Sequence, residues 1–355
     1  MRIERVEVGP CIMPNKDRGW RFALGTISDN MAWLVSIIAD NGQTGYGYAQ
    51  AFPYLGASYQ TVKGALDLFV PLLVGRDPFA IDALLEELDR ALLANNQAKA
   101  GIDSALYDLK ARALNIPVYE LLGGKARDSI PQLRILPIKE PAEMAVSAQR
   151  LVDQGYRYLK IKAIGKLKED VERVRTIRKQ VGPDIHLMVD ANQSYDVKSA
   201  IQAIRRMEEF DIDIIEQPVP MNDFKGLELV THSVDTVVEA DESARSLSDV
   251  MTLAANRMVD AIAIKIPKMG GLRRCRMIAD VCSAAGIKFR VGALVGSQVL
   301  AATGLHFAVA SPGIWYACEL AQYDELLDDP FEGIEVINGE MCVSNAAGLG
   351  VRLRG

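Results

Sequence analysis

Three acidic residues, Asp190, Glu216 and Asp241, recur at intervals of about 25 residues, and each closes a short apolar run: HLMVD, DIIE and VVEAD. Lys162 ends the run YLKIK one interval earlier, and Lys265 ends AIAIK one interval later. An interval of that length is one strand-plus-helix unit, so each residue falls at the C-terminal end of its own strand, the rim on which barrel enzymes build their sites. Three carboxylates from consecutive strands, with no histidine or cysteine at equivalent positions, form a hard-oxygen set suited to Mg²⁺, or to Mn²⁺. A lone acid at a strand end is ordinarily a cap or an ion-pair partner. Three in register are harder to explain that way, because buried carboxylates without a counter-charge are destabilising by roughly several kcal/mol.

The lysines narrow the chemistry. Lys160 and Lys162 alternate on one strand and share a face. With PQLRILPI as the first strand, Lys162 lies on the second and Lys265 on the sixth, and these face one another across a ring of eight. The carboxylates occupy strands three to five, between them. A lysine on either side of a bound cation suits removal of a proton from one face of a substrate and its return on the other. The α-proton of a carboxylate is very weakly acidic, and its removal leaves an enediolate with two charged oxygens; a cation beside those oxygens stabilises the developing charge. A lysine must be neutral to act as the base, and a neighbouring cation such as Lys160 lowers its pKa.

The elements that must carry these residues are legible around them. From Ser129 to about Leu320, short apolar strands alternate with charged amphipathic segments such as EDVERVRTIRKQV and KSAIQAIRRMEEF, which predicts a parallel sheet closed into a (β/α)₈ TIM-type barrel. Residues 1–125 differ in kind and predict an α+β capping domain. MAWLVSIIAD and QTGYGYAQ form a hairpin about Asn41-Gly42, the dipeptide of a type I′ turn. Helices are expected near 59–73, 78–93 and 98–114, with Pro78 in a first turn. The barrel is assigned to 126–320. Residues 321–355, with a hairpin at Asn338-Gly339, return to the capping domain.

Composition removes several classes of function. The formal net charge is −6 and basic residues are dispersed, which argues against a nucleic-acid partner. The stretch 292–311 carries no charged residue, yet its glycines, Gln298 and His306 point to a buried strand, loop and helix, and no membrane partner is expected. The N-terminus reads as a strand and not a signal peptide. Five cysteines without a CxxC spacing read as free thiols in a reducing, cytoplasmic setting.

Lys160-Ile-Lys162, Asp190-Ala-Asn192, Glu216-Gln217-Pro218, Ala240-Asp241-Glu242-Ser243, and Lys265 followed by Gly270-Gly271 together resemble the enolase superfamily, within it the muconate lactonizing enzyme subgroup of the mandelate racemase/muconate lactonizing enzyme family. The resemblance spans the chain. It implies an enolase-like modified barrel with a capping domain, Mg²⁺ on Asp190, Glu216 and Asp241, and Lys162 and Lys265 as the acid/base pair. Lys160 would hold the substrate carboxylate, and Asn192 and Glu242 would support the metal ligands from behind. Superfamily use of Lys or His bases with Mg²⁺ is a known pattern. His186, His232 and His306 miss the sixth- and seventh-strand ends, which disfavours the mandelate racemase subgroup. His186 and His306 are expected to be structural.

Ala317-Cys318-Glu319-Leu320 replaces the paired aspartates with which dipeptide epimerases of the family grip an ammonium group. Glu319 resembles the glutamate that cycloisomerases hold at that rim, whereas the seventh-strand segment 290–297 departs from the cycloisomerase pattern. Capping loops at 18–25 and 52–59 would close over the substrate, with Trp20, Phe22, Phe52 and Tyr54 lining an apolar pocket and Arg18 or Arg21 meeting a second anionic group. The expected function is 1,1-proton transfer on a small-molecule carboxylate, racemisation or epimerisation, by a homo-oligomer as in the family. Cycloisomerisation of a muconate-like diacid and dehydration of a hydroxy acid share the enediolate. A Schiff-base lyase and a non-catalytic binding barrel are the readings outside that chemistry.

Overall fold

The computed structural model describes residues 1–292 and 295–354; Ala293 and Leu294, within the seventh-strand segment quoted above, and Gly355 lie outside the described residues. Strands β1 (Ile3–Pro14), β2 (Asp29–Ala39) and β3 (Thr44–Ala51) form an antiparallel sheet in the order β1-β2-β3. Helices α1 (Tyr59–Leu73), α2 (Ile81–Ala91) and α3 (Asn96–Leu114) follow. Helix α3 is buried almost all round and lies directly on β3. Glycine makes that approach possible: a Cβ on Gly47 would lie 1.8 Å from the Gly101 carbonyl oxygen.

Two local expectations are corrected. Pro78 precedes α2 in a turn where Asp77 accepts from the Phe79 N–H at 2.9 Å, so the helix starts three residues later. At Asn41-Gly42 only Gly42 has a positive φ (83°), so this is not a type I′ turn. Its strands pair Ile38 with Thr44 and leave a longer connection than two residues. Asn338 and Gly339 do both have positive φ (52° and 77°), and Ile337 pairs directly with Glu340.

Seven parallel strands make the barrel wall: β4 (Leu133–Leu136), β5 (Tyr158–Lys162), β6 (His186–Asp190), β7 (Ile212–Glu216), β8 (Val237–Ala240), β9 (Ala261–Ile264) and β10 (Lys288–Val291), neighbours in chain order. Residues 314–319 form the eighth stave. Phe289 bridges Ile314 on one side and Gln132 bridges Cys318 on the other, and the Glu319 N–H donates to the Val291 carbonyl at 3.0 Å. The (β/α)₈ architecture with an N-terminal capping domain is therefore as the sequence predicts. The lower barrel interior is apolar, filled by Leu133, Met188, Ile214 and Ala317.

The cap grips the barrel where the sixth strand ends. Asp103 of α3 accepts from the N–H groups of Leu272 (2.6 Å) and Arg273 (3.2 Å), satisfying the first turn of the helix Leu272–Ala285. Gly271 is required there, since a Cβ would lie 2.3 Å from the Asp103 carboxyl carbon. The C-terminal segment returns to α3: Leu349 N–H donates to Asp108 at 2.7 Å, and Gly348 bridges Pro117.

The uncharged stretch 292–311 supplies a 13-residue helix, Gln298–Ala310, buried on every side. No helix among the described residues is long and apolar enough to cross a membrane. Cys11, Cys275, Cys282 and Cys318 are buried free thiols, and Cys342 is exposed. His306 lies in that buried helix, accepts from the Tyr119 N–H at 3.1 Å and stacks on the Tyr119 ring. Burial pushes its pKa from 6.5 down to about 4. An unfolded chain protonates this ring near 6.5 and the folded one only near 4, so the contribution to stability is intact above 6.5 and is lost as pH falls through that window. Urea unfolding at pH 7.5 and pH 5 should show the loss, up to about 2 kcal/mol at pH 5 from this site. His306→Asn should flatten that slope, and an unchanged slope would remove His306 as its source.

Candidate active site

Strand register brings the sequence-predicted residues together. Lys162 pairs with Asp190 and Asp190 with Glu216 across β5, β6 and β7, so three side chains stand side by side at the upper rim. Asp241 follows β8 and Lys265 follows β9. All are buried. Lys162 Nζ lies 2.5 Å from Asp190 and 2.9 Å from Asn192 Oδ1, and Lys160 Nζ lies 2.5 Å from Glu216 and 3.6 Å from Asp190. Lys265 Nζ lies 2.5 Å from Asp241. Glycine at 292 leaves room for this lysine, since a Cβ there would sit 2.9 Å from Lys265 Cε.

Glu319 ends the eighth stave facing inward, and its Oε1 lies 2.6 Å from both Lys160 Nζ and Arg290 Nη1. Asn192 donates to Glu242 Oε1 at 3.1 Å, while its own N–H donates to Asp190 at 2.9 Å. Gln217, held at φ 40°, accepts from the N–H groups of Asp241 (3.1 Å) and Ser243 (2.9 Å), tying the fourth strand end to the fifth.

Three residues outside the sequence-derived set complete the cluster. Arg290, fully buried, binds Glu239 at 2.8 Å, Glu319 at 2.6 Å and Glu216 at 3.2 Å. Glu239 and Arg290 belong to the strands VVEA and KFRV, and strand parity was the signal that could have found them. Lys268 sits on the helical turn Ile266–Met269, donating to the Asp241 carbonyl (2.6 Å) and Oδ1 (2.7 Å). No strand periodicity marks it. Asn96 of α3 fixes this turn by donating to the Lys268 carbonyl at 2.7 Å.

The electrostatics follow from this packing. Burial, together with Asp190 and Asp241, holds Glu216 well above the usual carboxylate range. Burial likewise raises Glu242 to about 7, with Asp241 and Asp190 adding to it. For Asp241 burial acts in the same sense, but Lys265 and Lys268 outweigh it and hold the group well below its ordinary value. Glu319 falls to about 2 because Lys160 and Arg290 overcome its burial.

Among the described residues, no three His, Cys, Asp or Glu side chains gather into a ready-made cation cage. Lys160 stands between Asp190 and Glu216, and each of the three acids is tied to a lysine. The chemistry of the donor set nevertheless fits a hard divalent cation. Glu216 Oε1 and Glu242 Oε2 are buried without any hydrogen-bond partner, and the mutual repulsion of Glu216, Asp190 and Asp241 is what such an ion would relieve.

Above the cluster is a cavity of roughly 60 Å³, walled by Lys160, Lys162, Lys265, Asp241 and Glu319 below and by Trp20, Phe22, Phe52 and Tyr54 of the cap above. The rings pack on one another, with centroids 5.1 Å apart for Phe22–Tyr54 and 5.8 Å for Trp20–Phe22. Lys162 Nζ lies 5.6 Å over the Phe22 ring. Gly25 admits the Tyr54 hydroxyl, which a Cβ would meet at 2.2 Å. Asn30 and Gln50 both donate to the Val295 carbonyl, joining the cap sheet to the loop after β10. Arg18 is a correction: it pairs with Asp29 at 2.8 Å in solvent and is not part of the cavity wall.

Arg290 supplies the only guanidinium inside this cluster of described residues, so Arg290→Met should leave Glu239 and Glu319 undercompensated. A loss of about 3–5 kcal/mol in urea unfolding is expected, with Arg290→Lys intermediate. A loss below about 1 kcal/mol would show that the network is not a stabilising one.

The N-terminal domain model of mandelate racemase/muconate lactonizing enzymes matches residues 8–123, and an enolase C-terminal domain-like model matches 143–355. A hydrophobic dipeptide epimerase from Enterococcus faecalis is 34% identical over 99% of both chains. A chloromuconate cycloisomerase from Cupriavidus necator is 34% identical over 99% of this chain and 97% of its own. The crystal structure of the dipeptide epimerase from Enterococcus faecalis V583, complexed with Mg and the dipeptide L-Leu-L-Tyr, superposes with a TM-score of 0.95 at 32% identity, covering 99% of each chain. By the motifs, the barrel with its cap and these likenesses, the chain belongs to the mandelate racemase/muconate lactonizing enzyme family of the enolase superfamily, as an isomerase.

Proposed function

We propose that this enzyme transfers the α-proton of a small carboxylate substrate, acting as a racemase or epimerase of an N-acylated amino acid with an apolar side chain. The observation that carries the reading is that Lys162 and Lys265, from the second and sixth staves, wall one small cavity together with Lys160. The domain division into 1–125, 126–320 and 321–355 belongs to the same reading.

Charge balance supports a cation and a monoanion together. The cluster holds five buried cations (Lys160, Lys162, Lys265, Lys268, Arg290) and six buried acids (Asp190, Glu216, Glu239, Asp241, Glu242, Glu319). With every lysine protonated, a divalent ion and one substrate carboxylate bring that formal sum to zero, and the lysine that acts as base gives up its proton before the reaction. Asp190, Glu216 and Asp241 would hold Mg²⁺, with Asn192 and Glu242 orienting them. When bound, the ion supplies positive charge beside the carboxylate oxygens on which the negative charge of the enediolate develops. Lys160 orients the substrate carboxylate. Lys162 takes the α-proton from one face at Nζ, and Lys265 delivers a proton to the opposite face. The aromatic cap excludes water and packs the apolar side chain. Glu319 is already shared between two cations, so it is not a counter-ion for a free ammonium group, which favours an acylated nitrogen over a free dipeptide amine.

Cycloisomerisation of an unsaturated diacid is the second reading. The position of Glu319 on the cavity wall and the cycloisomerase relatives favour it. Loss of dienoate absorbance on incubation with muconate would select it.

Incubation in D₂O with both antipodes of N-acyl leucine, followed by NMR, should show α-proton exchange. Lys162→Ala and Lys265→Ala should each lose exchange from opposite antipodes by at least about 10³-fold. Normal exchange in both variants would overturn the assigned roles. Mg²⁺ should raise the midpoint of thermal unfolding and restore exchange after EDTA treatment, and Glu216→Gln should blunt both effects. A metal-independent enzyme would show neither.

A further inference from the structure

Lys162 and Lys265 wall the same cavity but are steadied from different directions. Lys265 is held by Asp241, which is fixed in turn by Lys268 and, through it, by Asn96 of the cap. Lys162 donates instead to Asp190 at 2.5 Å and to Asn192 Oδ1 at 2.9 Å. Asp190 stands on its own strand, in register beside Lys162. Asn192 has no strand to hold it. It lies in the loop after β6 with φ 40°, and Gln193 follows at φ 69°. Two successive non-glycine residues in the left-handed region persist only where surrounding contacts fix them.

Those contacts converge on Asp170, a buried residue in the first turn of the helix Leu167–Val181. One of its carboxylate oxygens accepts from the Tyr195 hydroxyl at 2.6 Å and from the Lys166 N–H at 2.9 Å. The other accepts from the Ile164 N–H at 3.1 Å and from Arg173 at 2.6 Å. Ile164 and Lys166 lie in the loop that leaves Lys162, whereas Tyr195 lies in the loop that carries Asn192. A carboxylate that served only its own helix would need the nearby N–H groups and Arg173; the bond to Tyr195 crosses to a different stave. Backbones meet at the same place. Gly165 has φ 77°, and a Cβ on it would lie 2.2 Å from the Ser194 carbonyl oxygen. Tyr195 is itself buried, and its N–H donates to the Pro218 carbonyl at 3.1 Å.

We propose that Asp170 and Tyr195 are positioning residues for Lys162. By clamping the loop after β6 against the loop after β5, they keep the Asn192 amide oxygen on Lys162 Nζ and so align this base, while Lys265 relies on contacts that come from the cap. The proposal rests on the α-proton transfer reading. It divides the support of the two bases between separate parts of the fold, so that each face of the substrate can be impaired alone. A base on a long flexible side chain loses its alignment with the bond it must break when displaced by about 1 Å.

Tyr195→Phe tests this by removing one hydroxyl while keeping the ring. In the Mg²⁺-loaded full chain, α-proton exchange of each antipode of N-acyl leucine is followed by NMR in D₂O. The antipode whose exchange Lys162→Ala abolishes is the one that Lys162 serves. Tyr195→Phe should slow that antipode by about tenfold or more and the other by less than about twofold, and Asp170→Asn should show the same split. An equal deficit for both antipodes would mean general loosening of the rim and would overturn the assignment, as would normal exchange of both. A crystal structure of Tyr195→Phe gives a readout that needs no turnover. Asn192 Oδ1 should stand beyond about 3.5 Å from Lys162 Nζ, and a retained contact would sink the clamp. If the unaltered enzyme exchanges neither antipode, the proton-transfer reading falls, and the Asn192–Lys162 separation in that crystal structure still decides the clamp.

Discussion

A layer of buried charge inside the barrel sets the terms for everything else in this protein. Barrel interiors are ordinarily filled by branched apolar side chains. Here that packing stops at Leu133, Met188, Ile214 and Ala317, and above it lie Lys160, Arg290, Glu239 and Glu319, all essentially without solvent contact. Such groups persist in a fold only when each finds an opposite partner at hydrogen-bond distance. Arg290 meets this condition for three carboxylates at once, and Lys160 for two. The rigidity that results is also what a site for proton transfer needs, because a base displaced by about 1 Å loses its alignment with the bond it must break.

The outer layer is less complete. Glu216 and Glu242 each keep one buried oxygen without a partner. Unmatched buried acceptors are uncommon in folded proteins, and where they gather around other carboxylates they mark a place where positive charge is to be taken up. Stability and function are thus divided by depth: charges deep in the barrel are paired among themselves, and those nearer the rim retain capacity for a ligand.

The cap contributes more than a cover. Asn96 of one cap helix reaches the turn that carries Lys268, Asp103 of the same helix caps the helix that follows that turn, and Lys268 in turn fixes Asp241. Asn30 and Gln50 reach the loop after the seventh strand. The charged side chains of the cluster therefore belong to the barrel, while the placement of Asp241 depends in part on cap residues far away along the chain.

The sequence by itself determined the repeating strand-helix unit, and with it the staves on which Lys160, Lys162, Asp190, Glu216, Asp241 and Lys265 lie. Period and parity are local properties, and a residue at the end of an apolar run in a closed parallel barrel has only one rim to occupy. Family membership was legible for the same reason, since its motifs are those strand ends. Tertiary structure alone decided the rest. Arg290 and Glu239 lie on strands whose inward faces could be counted, but their pairing with one another, and the reach of Arg290 to Glu216 and Glu319, depend on the stagger of non-adjacent staves. Asn96 meets Lys268, and Asp103 meets Leu272, only because the cap is seated on the barrel. A contact between segments so distant in the chain leaves no mark in the local pattern of either one.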